Sequence, residues 1–297
     1  MSLLTAANIA KSYGANDIFS DITLSIPQHA RIGLVGANGV GKTTLLRILL
    51  GEEVPSAGKI QRARALRIGY LPQEVVQTSQ RTLWQECQLP FEHLLTMQEQ
   101  LAKLTNEMNR TVDDPAQLKQ YGDLQLKFEQ LGGYTFETHM RQVLSGMGFS
   151  ELDYFRPLEQ FSGGERTRAV LACLLLAEPD LLLMDEPTNH LDIQAIQWLE
   201  DYLKEFRGAA VLVSHDRYLL EHVATMIWEM TPALEIYRGN YEAYVRQREE
   251  RFQRRLLEYK TQKEFIDKED EYIRRNMAGQ NARQAKGRLK RLNRFLE

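Results

Sequence analysis

Cysteine is scarce. The 297 residues hold two, Cys87 and Cys173, far apart and without paired spacing. That argues against a disulfide framework and a zinc site, and the two read as reduced thiols of a cytosolic protein. Long apolar runs are missing too: none approaches the roughly 18–20 residues that a membrane span needs. The opening "MSLLTAANIAKSYG" has no basic stretch followed by an apolar core, so no secretion leader is expected. A strong net charge is also lacking. The balance is −3, with 43% hydrophobic and 26% charged residues, the composition of an ordinary soluble protein of one or two domains.

The small net charge conceals an uneven distribution. Residues 238–297 carry 17 Lys/Arg and 10 Asp/Glu, a local balance of +7, while the other 237 residues carry 20 and 30, a balance of −10. An acidic body with a basic tail points to a tail that meets a polyanion.

Period and punctuation give the coarse organisation. The first 70 residues read as short strands joined by turns. "ITLSIP" alternates with the strand period, and "ARIGLVG" is a continuous apolar run suited to a strand buried on both faces. "KTTLLRILLG" reads as a helix closed by Gly51, and "KIQRARALRIGYLPQ" returns to extended structure. From about 81 to 150, Phe91, Leu94, Leu95, Leu101, Leu104 and Met108 form one helical stripe, and Tyr121, Leu124, Phe128 and Leu131 a second. "TVDDPAQ" between them reads as the turn of an inserted helical hairpin. Residues 164–178 and "QAIQWLEDYLKEF" are helical. "DLLLMD" and "AAVLVS" are buried strands, and "MIWEM" with "ALEIY" a closing hairpin. Strands alternating with helices predict a parallel sheet in an α/β core. After Asn240, Val245, Phe252, Tyr259, Ile266 and Ile273 repeat every seven residues, joined by Leu256, as a coiled-coil-like seam on a long charged helix. "MAGQNARQAKG" breaks it and "RLKRLNRFLE" begins a second helix. The expectation is a cassette over 1–237, with a helical subdomain at about 81–178, and a basic helical hairpin over 238–297 that is the front part of a longer protein.

"GANGVGKT" fits the G-x-x-x-x-G-K-S/T pattern between a buried strand and a helix. Gly36, Asn38, Gly39, Gly41, Lys42, Thr43 and Thr44 are its candidate nucleotide-binding positions. Backbone N–H groups from Gly39 to Thr44 can close around phosphate oxygens, Lys42 brings a cation to the outer phosphates, and the Thr43 hydroxyl suits Mg²⁺. "LLLMDEP" places Asp185 and Glu186 at the carboxyl end of a buried strand, where ligands sit in open α/β sheets. Asp185 would hold the metal through water, and Glu186 would act as general base on the attacking water. Taken alone, these carboxylates could equally cap the next element; the phosphate loop upstream favours the catalytic reading. His215 ends the next strand, where its imidazole can hydrogen-bond a terminal phosphate. Gln73, after "YLP", can touch Mg²⁺ and the attacking water. "FSGGERTRA" at 161–169 adds a second glycine-rich helix start, again suited to an anion.

These motifs, in this order, resemble the ATP-binding cassette superfamily over residues 2–237. The resemblance implies an α/β P-loop NTPase of the ABC ATPase type that binds ATP and Mg²⁺, with a helical subdomain carrying Ser162–Glu165. It also implies head-to-tail pairing with a second cassette. Ser162, Gly163, Gly164 and Glu165 would then cap the ATP held by the facing cassette, Asp192 would lie along the seam between the two, and Tyr13, an aromatic in a loop, would stack on adenine. "DEPTNHLD", "SHDRYLLE" and "YRGNYEAYVRQREER" followed by a basic helix are similar to the ABC-F branch, cytoplasmic two-cassette ATPases that act on ribosomes and whose inter-cassette linker reaches toward tRNA. Residues 272–297 carry eight Lys/Arg against Glu297 alone, a pattern suited to a phosphate backbone. An ATPase subunit of a membrane transporter shares every cassette motif and stands as the alternative. A chromosome-maintenance ATPase would need far more helix than the 89 positions between Gln73 and Ser162.

Overall fold

The structure, a computed structural model, describes residues 2–73, 79–108, 115–231, 233–277 and 282–296. Twelve-residue strands β1 (Ser2–Tyr13) and β2 (Asn16–Pro27) form an antiparallel hairpin, longer than the short strands expected from the sequence. Next come β3 (Arg31–Gly36), α1 (Lys42–Leu50), β4 (Ala57–Arg62) and β5 (Ile68–Leu71). Five helices follow: α2 (Leu83–Gln88), α3 (Glu92–Met108), α4 (Pro115–Gln130), α5 (Phe136–Gly146) and α6 (Gly163–Leu176). Then β6 (Leu181–Asp185), α7 (Ile193–Glu205), β7 (Ala209–Val213) and α8 (Arg217–Val223) alternate before the hairpin β8 (Met226–Met230) and β9 (Leu234–Arg238). Two helices end the chain, α9 (Tyr241–Asn276) and α10 (Ala282–Leu296).

The strands make two sheets. One is antiparallel, in the order β2-β1-β4; the other runs β5-β6-β7-β3-β8-β9, parallel except for β9. The central strands explain why their sequences lack alternation. In β6, Leu181 and Leu183 face a core shared with α1 and the antiparallel sheet, whereas Leu182 and Met184 face a core shared with α5, α6 and α7. In β7, Val211 and Leu212 divide in the same way. A strand covered on both faces is apolar nearly throughout, with the charged Arg31 of β3 and Asp185 of β6 confined to strand ends.

Helix ends are set by local chemistry. Gly41 (φ 102°) and Gly51 (φ 90°) bracket α1 in left-handed conformations that glycine adopts without steric penalty. Thr82 begins α2 with a capping box, its hydroxyl accepting from Gln85 N–H while the Gln85 amide accepts from Thr82 N–H. Thr82→Ala removes this cap and should cost about 1 kcal/mol, a fall of roughly 2–4 °C in Tm for a unit of this size. Thermal unfolding followed by circular dichroism checks it; an unchanged Tm would mean that the box contributes nothing.

α3 and α4 pack together as the expected helical hairpin. Leu94 and Phe128 are deeply buried. Most of the expected turn between them lies outside the described residues.

The chain divides into two compact units, Met1–Tyr241 and Glu242–Glu297. The division falls slightly later than the sequence suggests, because β9 pairs with β8 and the Asn240 amide donates to Glu221. Within the second unit, Ile273, Ala285 and Leu292 are buried, the Tyr272 hydroxyl bonds Gln284, and Arg288 pairs with Glu269. α10 thus lies along the far end of α9. Along the heptad seam Ile273 is buried, Leu256 and Ile266 are half-buried, and Val245, Phe252 and Tyr259 are 48–61% exposed.

Candidate functional site

The parallel sheet brings its strand ends together at one edge, and the predicted loop sits there. β3 ends at Gly36, where a Cβ would lie 2.4 Å from Met230 O, and a Cβ on Gly41 would lie 2.5 Å from Ile18. Neither position admits a side chain without movement. Lys42, the first residue of α1, is 9% exposed and donates to Gly36 O at 2.8 Å and Ala37 O at 3.0 Å. Burial lowers its pKa, an effect that Glu186 and Asp185 oppose.

Asp185 closes β6 and is 2% exposed. Its carboxylate accepts from the Thr43 hydroxyl at 2.6 Å, joining two residues 142 positions apart. Glu186 follows in a left-handed conformation (φ 52°), rare for a side chain of this size and a form of strain that concentrates at functional sites. Its N–H is held by Val213 O at 2.8 Å, which keeps the carboxylate at the strand ends. Glu186 accepts from His215 N–H at 3.4 Å and approaches the His215 ring nitrogen at 3.5 Å. Burial raises the Glu186 pKa, partly offset by the His215 N–H and ring and by Lys42.

A cavity of about 480 Å³ gathers Asn38, Gly39, Gly41, Lys42, Thr43, Thr44, Gln73, Asp185, Glu186 and His215. Among the predicted residues of the loop, only Gly36 is not part of its lining. Three further residues line it: Ile18, Asn189 and Val213. Asn189 lies inside the recognised "TNH" stretch and is tied back by its N–H to Glu186 O. Ile18 belongs to β2, and only tertiary packing carries it to the phosphate loop.

A hydroxyl and a carboxylate suit Mg²⁺, a hard cation that usually takes one or two protein oxygens and completes its shell with phosphate and water. Among the described residues no group of three or more His, Cys, Asp or Glu could cage a metal. The Thr43–Asp185 pair has the donor chemistry to share an Mg²⁺ with phosphate and water.

The remaining predicted residues lie outside this cavity. Tyr13 is the last residue of β1 rather than part of a loop, because β1 stays paired with β2 as far as Tyr13, opposite Asn16. Its ring is half-exposed, Lys11 stands 4.8 Å above it, and its hydroxyl donates to Glu53. That bond raises the phenol pKa, with Thr44 acting in the opposite sense. Ser162 is the N-cap of α6; its hydroxyl accepts from Glu165 N–H at 3.3 Å, and its N–H donates to the Glu165 carboxylate at 2.7 Å. The Glu165 carboxylate, lowered in pKa chiefly by that N–H, is thereby engaged within its own helix. Gly163 opens onto free space, and Gly164 abuts His190, itself left-handed at φ 72°. Asp192 caps α7, accepting from Ala195 N–H at 2.8 Å, and borders a separate cleft of about 1470 Å³ between α5 and α7.

A strand–loop–helix cradle for phosphates beside an acidic strand end defines a P-loop nucleotide-binding domain. The chain belongs to the ABC transporter family: a family model of that description matches residues 19–189, and a second, an extension of the same description, matches 232–297. Similar curated proteins include the ATP-binding protein YdiF of Bacillus subtilis, 38% identical over 99% of this chain and 47% of its own length. ABC transporter F family member 5 of Arabidopsis thaliana is 33% identical over 98% and 43%. The energy-dependent translational throttle protein EttA of Haemophilus influenzae is 34% identical over 93% and 50%. The chain thus spans about half the length of these relatives. In fold it is similar to the ATP-binding subunit of an ABC transporter, with TM-score 0.61 and 20% identity over 83% of this chain and 93% of that one. It is also similar to a dimeric ATP-binding cassette bound to ADP and Pi, with TM-score 0.55 and 18% identity over 79% and 98%. No described helix is long and apolar enough to cross a membrane.

Proposed function

We propose that this chain is one cassette and part of the linker of a cytoplasmic ABC-F ATPase, which binds and hydrolyses MgATP between two cassettes and whose nucleotide state governs its association with the ribosome. The observation that carries the nucleotide half is the convergence of Lys42, Thr43, Asp185, Glu186, Gln73 and His215 on one cavity. Backbone N–H groups of residues 39–44 and the Lys42 ammonium would bind the phosphates; Thr43 and Asp185, with Gln73, would hold Mg²⁺, which would supply positive charge to the transferring phosphoryl group. Glu186, kept at the strand end by its strained backbone, orients the attacking water and takes its proton. His215 hydrogen-bonds the terminal phosphate. Tyr13 offers a face to adenine and Gly36 leaves room for the loop.

In the same reading, the Ser162–Gly164 turn closes over the ATP of a facing cassette. The Gly163 and Gly164 N–H groups and the positive end of α6 favour a terminal phosphate, Glu165 shapes the turn through its capping box, and Asp192 lies along the joint. The ribosomal half rests on the basic charge of α9 and α10 and on likeness to relatives named as a translational throttle and as F-family members. Contact would be with RNA, through the 238–297 linker.

Co-sedimentation of the two-cassette protein tests this. Ribosomes are expected to retain it with ATP more than with ADP, and Lys42→Ala should abolish the difference by weakening nucleotide binding. Recovery with membranes and not with ribosomes would favour the transporter alternative.

A further inference from the structure

The two cysteines, 86 positions apart in sequence, meet in the fold. Cys87 lies on α2 and Cys173 on α6, and their sulfurs stand 3.3 Å apart. Both are free thiols. Cys87 is fully buried, and Cys173, partly buried, packs against the same core. A buried cysteine by itself behaves as a small apolar residue. Two whose sulfurs already touch need only a small further approach for a bond to form.

The surroundings give such a bond a consequence. The first turn of α2 is already tied to the segment that leads into the Ser162 turn: Leu83 N–H donates to Arg156 O at 3.1 Å, Trp84 N–H to Tyr154 O at 2.9 Å, and Leu158 N–H to Arg81 O at 3.0 Å. Cys87 is near the far end of α2, and Cys173 is in the last turns of α6. A covalent link there adds a second tie at the opposite end of α2. The two helices would then move as one body, so that the helix that begins at Ser162 is tied to α2 at both ends.

We propose that Cys87 and Cys173 are a convertible dithiol that hydroperoxide oxidises to one intramolecular disulfide stapling α2 to α6. Cys173, the less buried, reacts first. Its thiolate attacks a peroxide oxygen, the O–O bond breaks, and sulfenic acid forms with release of water once a proton is taken up. The Cys87 sulfur then attacks the Cys173 sulfur, the S–O bond breaks, and a second water leaves. Two thiols and one hydrogen peroxide give one disulfide and two waters. Contact with Cys87 and burial both push the Cys173 thiol pKa up, so thiolate is scarce and the pair stays reduced until oxidant accumulates.

The test is peptide mass analysis of the 297-residue chain after graded hydrogen peroxide, a catalase quench and alkylation under denaturing conditions. The expected product is a single cross-linked peptide pair containing Cys87 and Cys173, about 2 Da lighter than the two reduced peptides together, as loss of two hydrogens requires. It should form within monomers and disappear with dithiothreitol. In Cys87→Ser, the expected product is a Cys173 sulfenic acid trapped by dimedone. The native chain decides the matter even if that variant does not fold. Recovery of both cysteines as alkylated thiols, as separate sulfinic acids, or only in bonds between chains would overturn the proposal. The readout involves no nucleotide or ribosome, so it stands or falls apart from the proposed function.

Discussion

Glu186→Gln in the two-cassette protein is expected to retain ATP binding and to lose hydrolysis by about 10²–10⁴-fold, the usual worth of a positioned general base. The amide keeps the volume and the hydrogen bond from His215 N–H but cannot accept the water's proton. The Val213 tether and the left-handed backbone at Glu186 need no charge, so the loop should keep its shape. Because burial raises the Glu186 pKa, the acid limb of the unmodified enzyme's pH–rate profile should lie above the ordinary glutamate value. Stability should change in the opposite sense to activity. A carboxyl with a raised folded-state pKa contributes stability below its unfolded pKa and loses it as pH rises through the folded value. At neutral pH the ionised Glu186 is therefore a burden that glutamine removes, and the gain in Tm should disappear in acid. Single-turnover hydrolysis, nucleotide titration and thermal melts at two pH values check these points. Hydrolysis at the unmodified rate would remove Glu186 from the mechanism.

Ribosome binding should fall by about 10³-fold between 50 and 200 mM salt if the linker neutralises six phosphates. The structure shows which cations are available. Of the eight Lys/Arg in 272–297, Arg275 is paired with Glu271 and Arg288 with Glu269. Arg274, Arg283, Lys286, Lys290, Arg291 and Arg294 are exposed, with no ion-pair partner among the described residues. Lys286, Lys290 and Arg294 recur every four residues along α10 and share one face. Changing these three to glutamine should reduce the salt slope by about three, one for each phosphate no longer neutralised. Sedimentation of the triple variant at several salt concentrations measures it. A flat response in the parent protein would dismiss phosphate binding through this linker.

The loop at 36–44, the acidic strand end and His215 were legible as neighbours because each is a short motif at the end of a buried strand, and a parallel sheet brings such ends together. The apolar runs of β3, β6 and β7 were legible because burial on both faces leaves polar residues only at the strand ends. The heptad seam was legible as a pattern, yet the pattern carries no information about which stretch is covered. Ile273 is buried beside α10, while Val245, Phe252 and Tyr259 remain exposed.

The sequence alone determined the class of core and most of the residues that the fold gathers into one cavity, since both follow from local pattern and spacing. Tertiary structure alone decided which distant residues meet. It placed Thr43 on Asp185, brought Ile18 to the phosphate loop, and set Cys87 against Cys173. Such meetings depend on how helices pack on a sheet. That packing is fixed by the filling of a shared core, and no pattern along the chain encodes it residue by residue.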